Sequence, residues 1–290
     1  MMFHQPVMIE ETLGMLNVKQ NGTYVDATVG LGGHAYGILS RLGGDGRIVG
    51  MDRDDNALKI AFERLGNKRV HLAKGSFSSM DRILASFGVM EFDGVVFDLG
   101  LSMMQLKDLG RGFSFNSTER LDMRMDQEQS LSAWDVVNRY QEKALEKILR
   151  EYGEERLALK IAKAVVSKRK QAAIDTCAEL AETVSAVYGY RGKIHPATRT
   201  FQALRIEVNR ELDELGKGLS AAASGLRNGG RVCVISYHSL EDRIVKNFIR
   251  DGAKSGVLRN LTKKPLTPRL EEIKKNPASR SAKLRGAEKI

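Results

Sequence analysis

Residues 25–34 read VDATVGLGGH, a strand-like run that passes into three glycines within four positions. Glycines placed there let main-chain amides approach a ligand with no Cβ in the way. The helix that follows directs its free N–H groups at the same point. A tight strand–helix turn with no ligand is the competing explanation of the glycines alone, so the surroundings of the loop must discriminate.

Outward from the loop, short apolar runs alternate with helical patterns. Strands are predicted over 23–29, 46–52, 69–75 and 92–100, with helices over 34–42, 54–65 and 80–87 between them. Repeated strand–helix–strand units imply a parallel sheet with helices on both faces. From about residue 105 to about residue 205 only helical spacing of Ala, Leu, Ile and Val is found, with Ser132 and either Asp175 or Thr176 as expected N-caps. A long helix is expected over 201–226, a fifth strand over 229–239 and a helix over 240–249, then loops with one late strand around Pro265, Pro268 and Pro277. The expected organisation is one discontinuous α/β domain, residues 1–105 and 206–290, interrupted by a helical insertion, residues 106–205.

The chain has 290 residues, 42% hydrophobic and 28% charged, enough to bury a core and ordinary for a globular protein. It carries no apolar run long enough to span a bilayer and no signal-like start, so the cytoplasm is the expected location. Cys177 and Cys233 form no CxxC pair, which argues against structural zinc and a disulfide framework, and no metal site is expected. Cys233, inside RVCVIS, is expected as a small buried hydrophobe. The net charge of +10 is lopsided, because residues 252–290 hold eleven Lys and Arg against three Glu. Such a segment attracts polyanions through counterion release, and nucleic acid is the expected partner; a solvated tail is the alternative.

In open α/β sheets, ligands bind at the carboxyl ends of the strands. Asp52 ends the second predicted strand, where a carboxylate can accept from both hydroxyls of a ribose. Phe77 follows the third strand and could pack beside an adenine; Asp98 ends the fourth. Each has a structural explanation as a helix cap or core residue, but at successive strand ends they point to an adenosine cofactor. NAD and S-adenosylmethionine share that geometry. The GxGxxG dinucleotide pattern has Ala35 in its third glycine position. Asp26, just before the loop, repels a pyrophosphate but can hold an amino group, which favours S-adenosylmethionine.

Long motifs in fixed order then carry a specific resemblance: HQPVMIEE (4–11), DATVGLGGH (26–34), FDLGLSMMQL (97–106), RGFSF (111–115), LDMRMD (121–126), HPATRTFQALRIEVNREL (195–212), ISYHSLEDRIVKNF (235–248) and NPASRSAKLR (276–285). Over essentially its whole length the sequence resembles the bacterial ribosomal RNA small-subunit methyltransferase H (MraW) family. The resemblance implies a Rossmann-like class I S-adenosylmethionine-dependent methyltransferase sheet, with an inserted all-helical domain that helps cover the RNA site. It implies methylation of the N4 amino group of a cytidine in 16S rRNA of the small ribosomal subunit. By the same resemblance Gly32, Gly33 and His34 contact the cofactor, Asp52 holds its ribose, and Phe77, Asp98 and Gln105 complete the pocket. One departure is DLGLSMMQ where DLGVSSPQ is more usual, with Met103-Met104 in place of Ser-Pro.

Methylation of an exocyclic amine is a direct displacement that needs no covalent cysteine, unlike methylation at carbon 5. The amine lone pair is delocalised into the ring, so acceptors for its N–H groups would localise and align it. Many amino-methyltransferases use an (Asp/Asn/Ser)-Pro-Pro-aromatic motif after the fourth strand; here Asp98-Leu99-Gly100-Leu101 stands in that place. Asp98, or a carbonyl near it, is the candidate orienting group. The aromatic surface for an extruded base is expected from Trp134, which is equally explained as a core anchor, or from Tyr237 or His238. Lys168, Arg169, Lys170, Arg191, Lys193 and Arg199 form a second basic cluster. A nicotinamide oxidoreductase and an RNA-binding or assembly protein with a relic pocket are the open alternatives, and monomer against homodimer is left open.

Overall fold

Every residue of the first strand, β1 (Thr23–Asp26), is buried, because it lies between two parallel neighbours, β2 (Arg47–Asp52) and β4 (Phe92–Asp98). The computed structural model describes residues 6–66, 68–102, 104–105, 108–189 and 195–290. Helices α1 (Ile9–Leu16), α2 (Gly33–Leu39), α3 (Asp55–Leu65) and α4 (Met80–Ser86) alternate with these strands and with β3 (Val70–Lys74). β5 (Leu226–Ser236) continues the sheet beside β4 in parallel register, with Asp98 opposite Ile235. The chain then forms α11 (Ser239–Lys254), β6 (Leu258–Asn260), α12 (Leu270–Lys275) and β7 (Lys283–Lys289).

The sheet order is β3-β2-β1-β4-β5-β7-β6, and β7 runs antiparallel to both β5 and β6. Side chains alternate between faces along a strand, and the core divides accordingly. Val25, Val49, Val95, Phe97, Val232 and Val234 pack on one face. Tyr24, Ile48, Val96, Cys233 and Ile235 pack on the other. Both cysteine thiols are buried, and burial pushes Cys177 up to about 12 and Cys233 higher, so neither is a ready nucleophile.

The chain divides into two compact units, Met1–Gly100 with Leu212–Ile290, and Leu101–Glu211. The second is helical: α5 (Ala133–Arg139), α6 (Glu142–Glu151), α7 (Ala158–Arg169), α8 (Cys177–Tyr188) and α9 (Thr198–Asn209) enclose an apolar core that includes Val136, Leu149, Ile161, Leu180 and Leu204. Ser132 and Thr176 begin α5 and α8 with capping boxes closed by Asp135 and Glu179. Of the two candidates for the second cap, Thr176 does the capping, while Asp175 Oδ1 accepts from the Trp134 indole at 2.7 Å. Thr176→Ala removes a bond to an otherwise unpaired amide and is expected to lower stability by about 1 kcal/mol in urea unfolding; an unchanged midpoint would contradict it.

Three expectations need correction. The long helix over 201–226 is two helices, α9 and α10 (Glu211–Gly225). The Asn209 side chain turns inward, donating to Met123 O and accepting from Met125 N, both at 2.8 Å, and Arg210 adopts a left-handed φ of 51°. β1 ends at Asp26 instead of residue 29, although Ala27 N and Val29 N still donate to Val96 O and Met51 O. The final stretch holds two strands and a helix, not loops with one strand, because β7 inserts between β5 and β6.

Candidate active site

At Asp26 the chain leaves the sheet between β1 and β4, where the strand order reverses. Asp26 is 1% exposed. Its Oδ1 accepts from Thr28 N at 3.2 Å, and no donor among the described residues reaches Oδ2. Burial pushes this carboxyl up to about 6; His34 and the Thr28 amide oppose the rise, while Asp98 and Asp52 add to it. A buried carboxylate oxygen without a donor is costly, so the position fits a cationic group. Three carboxylates acting on one another at a switch point fit a pyrophosphate poorly.

The left-handed backbone of the loop favours glycine at two positions, Gly30 (φ 48°) and Gly32 (φ 77°). Asp52, at the end of β2, accepts from Gly30 N at 2.8 Å and from Asp54 N at 3.0 Å. Burial raises its pKa, and those two amides work against the rise. Asp52 thus ties the loop after β1 to the start of α3.

Gly33 and His34 grip the chain's own N-terminal segment. A Cβ at Gly33 would lie 2.5 Å from Pro6 Cγ, and His34 Nε2 lies 3.1 Å from Val7 O. Glu272 of α12 holds the same segment, accepting from Met8 N at 2.8 Å. Burial lowers the His34 pKa, although the Asp26 charge opposes this, so its ring is neutral at pH 7.

Asp98 ends β4 beside this group. Its amide donates to Thr28 Oγ1 at 2.7 Å, its Oδ1 accepts from the Tyr237 hydroxyl at 2.7 Å, and Oδ2 lies 3.6 Å from His34 Nδ1. Tyr237 follows β5. Its ring lies against Gly100 (φ 97°), where a Cβ would come within 3.2 Å of Cδ2. Burial, reinforced by the Asp98 charge, raises the Tyr237 pKa well above 10.

At the β3 end, Phe77 packs edge-on against Phe97 with ring centroids 5.7 Å apart, and the Arg53 guanidinium lies 5.8 Å from its centroid. Arg53 pairs with Glu214 of α10 at 2.6 Å and donates to Ser76 Oγ at 2.7 Å, and Ser76 donates to Glu214 as well. Although burial opposes its charge, hydrogen bonds from Ser76 and Ser78 and the Arg53 charge hold Glu214 below the usual carboxylate range.

The structure therefore gathers Gly32, Gly33, His34, Asp52, Phe77 and Asp98 at consecutive strand ends of one unit. Gln105 and Trp134 belong to the helical unit. Gln105 is buried and its Oε1 accepts from Ser102 N at 3.0 Å. Trp134 is half-buried, with Arg120 and Arg139 guanidinium carbons 5.5 and 5.2 Å from its ring. His238 is the N-cap of α11, closed by Glu241, and its side chain is only 10% exposed, which leaves little ring surface for a base. Sequence patterns did not disclose Tyr237 as the partner of Asp98, nor Glu214 and Glu272, because those contacts join distant segments with no local signature.

The mixed sheet, with its one antiparallel strand and its acid-ended switch point, is that of a class I S-adenosylmethionine-dependent methyltransferase. The sequence profile of the MraW methylase family matches residues 1–290, and the chain belongs to that family. Ribosomal RNA small subunit methyltransferase H of Sulfurihydrogenibium sp. (strain YO3AOP1) is 50% identical over 295 residues, covering 100% of both chains. The protein of the same name from Caldicellulosiruptor saccharolyticus is 46% identical, covering 99% of each. Among solved structures, an rRNA methylase from Streptococcus thermophilus aligns with 100% of this chain and 99% of its own at 12% identity and a TM-score of 0.44.

Proposed function

We propose that this protein transfers a methyl group from S-adenosylmethionine to the N4 amino group of a cytidine in 16S rRNA of the small ribosomal subunit, in the cytoplasm where that particle is made. The full-length identity to proteins named ribosomal RNA small subunit methyltransferase H carries the reading, and the acids gathered at the strand ends support it. Asp26 Oδ2 meets the ammonium of the cofactor, Asp52 takes its ribose hydroxyls, Phe77 borders the adenine, and the main chain at Gly32, Gly33 and His34 lies along it. The bound cofactor supplies an electrophilic methyl group. Asp98 accepts a hydrogen bond from the amine and so directs its lone pair.

The helical unit, residues 101–211, serves as an RNA-recognition surface in this reading, with Trp134 and its two arginines as the candidate stacking and phosphate-binding patch. Arg169 drops out of the basic cluster, because its guanidinium donates to Val137 O and Tyr140 O at the end of α5. Arg191 and Lys193 lie outside the described residues. If four or more phosphates are contacted, RNA affinity falls with a log–log salt slope of about −3 or steeper. A flat response in filter binding between low and moderate salt would count against the basic surface.

The deciding experiment supplies labelled S-adenosylmethionine and small-subunit rRNA from cells lacking the modification, then identifies the labelled nucleoside. N4-methylcytidine is the expected product. Label at carbon 5, or in protein, overturns the assignment.

A further inference from the structure

Two side chains of different kinds face the oxygens of Asp98. Tyr237 donates its hydroxyl hydrogen to Oδ1. Toward Oδ2 stands His34 Nδ1, 3.6 Å away. The other nitrogen of His34 fixes the tautomer: Nε2 faces the carbonyl oxygen of Val7 at 3.1 Å, which can only accept, so Nε2 carries the hydrogen. In the neutral ring Nδ1 is therefore a lone pair 3.6 Å from a carboxylate oxygen. Two acceptors facing each other are one proton short of a hydrogen bond.

We propose that Asp98, Tyr237 and His34 form a one-proton acceptor for the methyl transfer, in which Asp98 is the base and the other two are positioning residues. This rests on the reading of an exocyclic amine as the acceptor. The amine nitrogen forms a bond to the methyl carbon, the carbon–sulfur bond breaks with its electron pair going to sulfur, and the nitrogen must shed one hydrogen. That proton passes to Asp98 Oδ2, where the new O–H is received by His34 Nδ1. Tyr237 holds Oδ1 throughout, and its own hydrogen stays in place because burial and the Asp98 charge keep the phenol protonated. Release of product lets the proton leave to water.

The surrounding charges favour this uptake. Asp26 of β1 and Glu272 of α12 act on His34. Glu241 of α11 and Glu272 act on Tyr237. All are acidic, and each makes a proton arriving between Asp98 and His34 more welcome. Thr28 fixes the Asp98 main chain, and the Tyr237 ring rests against Gly100. The acceptor is thus built into two neighbouring strand ends.

Tyr237→Phe keeps the ring against Gly100 and removes only the hydroxyl. The expected result is a fall in kcat of about tenfold or more, with cofactor affinity little changed. The acid limb of the kcat profile moves to higher pH, because Asp98 loses a donor that favours its charged form. In the Asp98→Asn background, Tyr237→Phe causes no additional loss. His34→Gln retains a donor for Val7 O and removes the Nδ1 lone pair. It also lowers kcat, and it decides the question if Tyr237→Phe gives no cofactor-induced thermal shift. A Tyr237→Phe profile identical to wild type, or losses that add fully in the double mutant, overturns the proposal while wild type still makes N4-methylcytidine. Failure of wild type to make that product overturns the reading beneath it.

Discussion

Asp98→Asn lowers kcat by about two to three orders of magnitude, in the range of losses that follow removal of a positioned acid or base, while the protein folds and binds S-adenosylmethionine. The substitution suits this site unusually well as a test. An asparagine oxygen can still accept from Tyr237, and its NH2 group can donate to the Nδ1 of His34, so these contacts can persist. The change removes a charge and a proton acceptor at nearly constant volume, and the thermal midpoint is expected to stay within a few degrees. Single-turnover transfer measures the loss, and isothermal titration with cofactor measures binding. Full turnover in Asp98→Asn would falsify the assignment of Asp98 as the group that takes the amine proton.

The part of the site written in the glycine loop was legible because its physics is local. Left-handed backbone of the kind at Gly30 and Gly32 favours glycine, and the acids at the ends of β2 and β4 can be seen from strand periodicity, whereas Asp26, expected inside a strand running to residue 29, ends β1. The contacts that give those acids their character are not local. Tyr237 reaches Asp98 across 139 positions, and Ser76 reaches Glu214 across 138. Charge counting alone could not describe the C-terminal stretch for a related reason. Its lysines and arginines suggested a basic segment that attracts nucleic acid, yet Arg285 is 8% exposed in β7, with its guanidinium on Asp242 at 2.7 Å. Lys283 faces the same carboxylate, and Arg259 and Arg231 share Glu288. Pairing of this kind buries charge inside a sheet edge, so counting residues overstates the positive surface left for RNA. The break at Arg210 follows the same rule, since it serves the inward turn of Asn209 toward a loop more than 80 residues earlier.

Asp26→Asn separates stability from function in opposite directions. In the ligand-free protein the carboxyl is raised from 3.8 to about 6, chiefly by burial. A group raised in the folded state contributes stability that is fully present below its unfolded pKa and lost as pH rises through its folded pKa. At neutral pH the ionised Asp26 therefore costs the ligand-free fold up to about 3 kcal/mol, at about 1.4 kcal/mol per unit. Asparagine carries no such charge, so the ligand-free variant is expected to melt higher than wild type at pH 8, with the difference vanishing at about pH 4. Cofactor binding moves the other way, because the ammonium loses a buried charged partner worth about 2–5 kcal/mol. In wild type the cofactor dissociation constant rises about tenfold per pH unit below about 6, since binding must then expel a proton from Asp26; in Asp26→Asn it is weak and level across that range. Melting curves with and without cofactor at several pH values read both effects at once, since ligand stabilises the native state in proportion to its affinity. If the variant bound cofactor as tightly as wild type, or if wild-type affinity were level through pH 6, the ammonium would have to sit elsewhere, and the unpartnered oxygen of Asp26 would be an unrelieved cost to the fold.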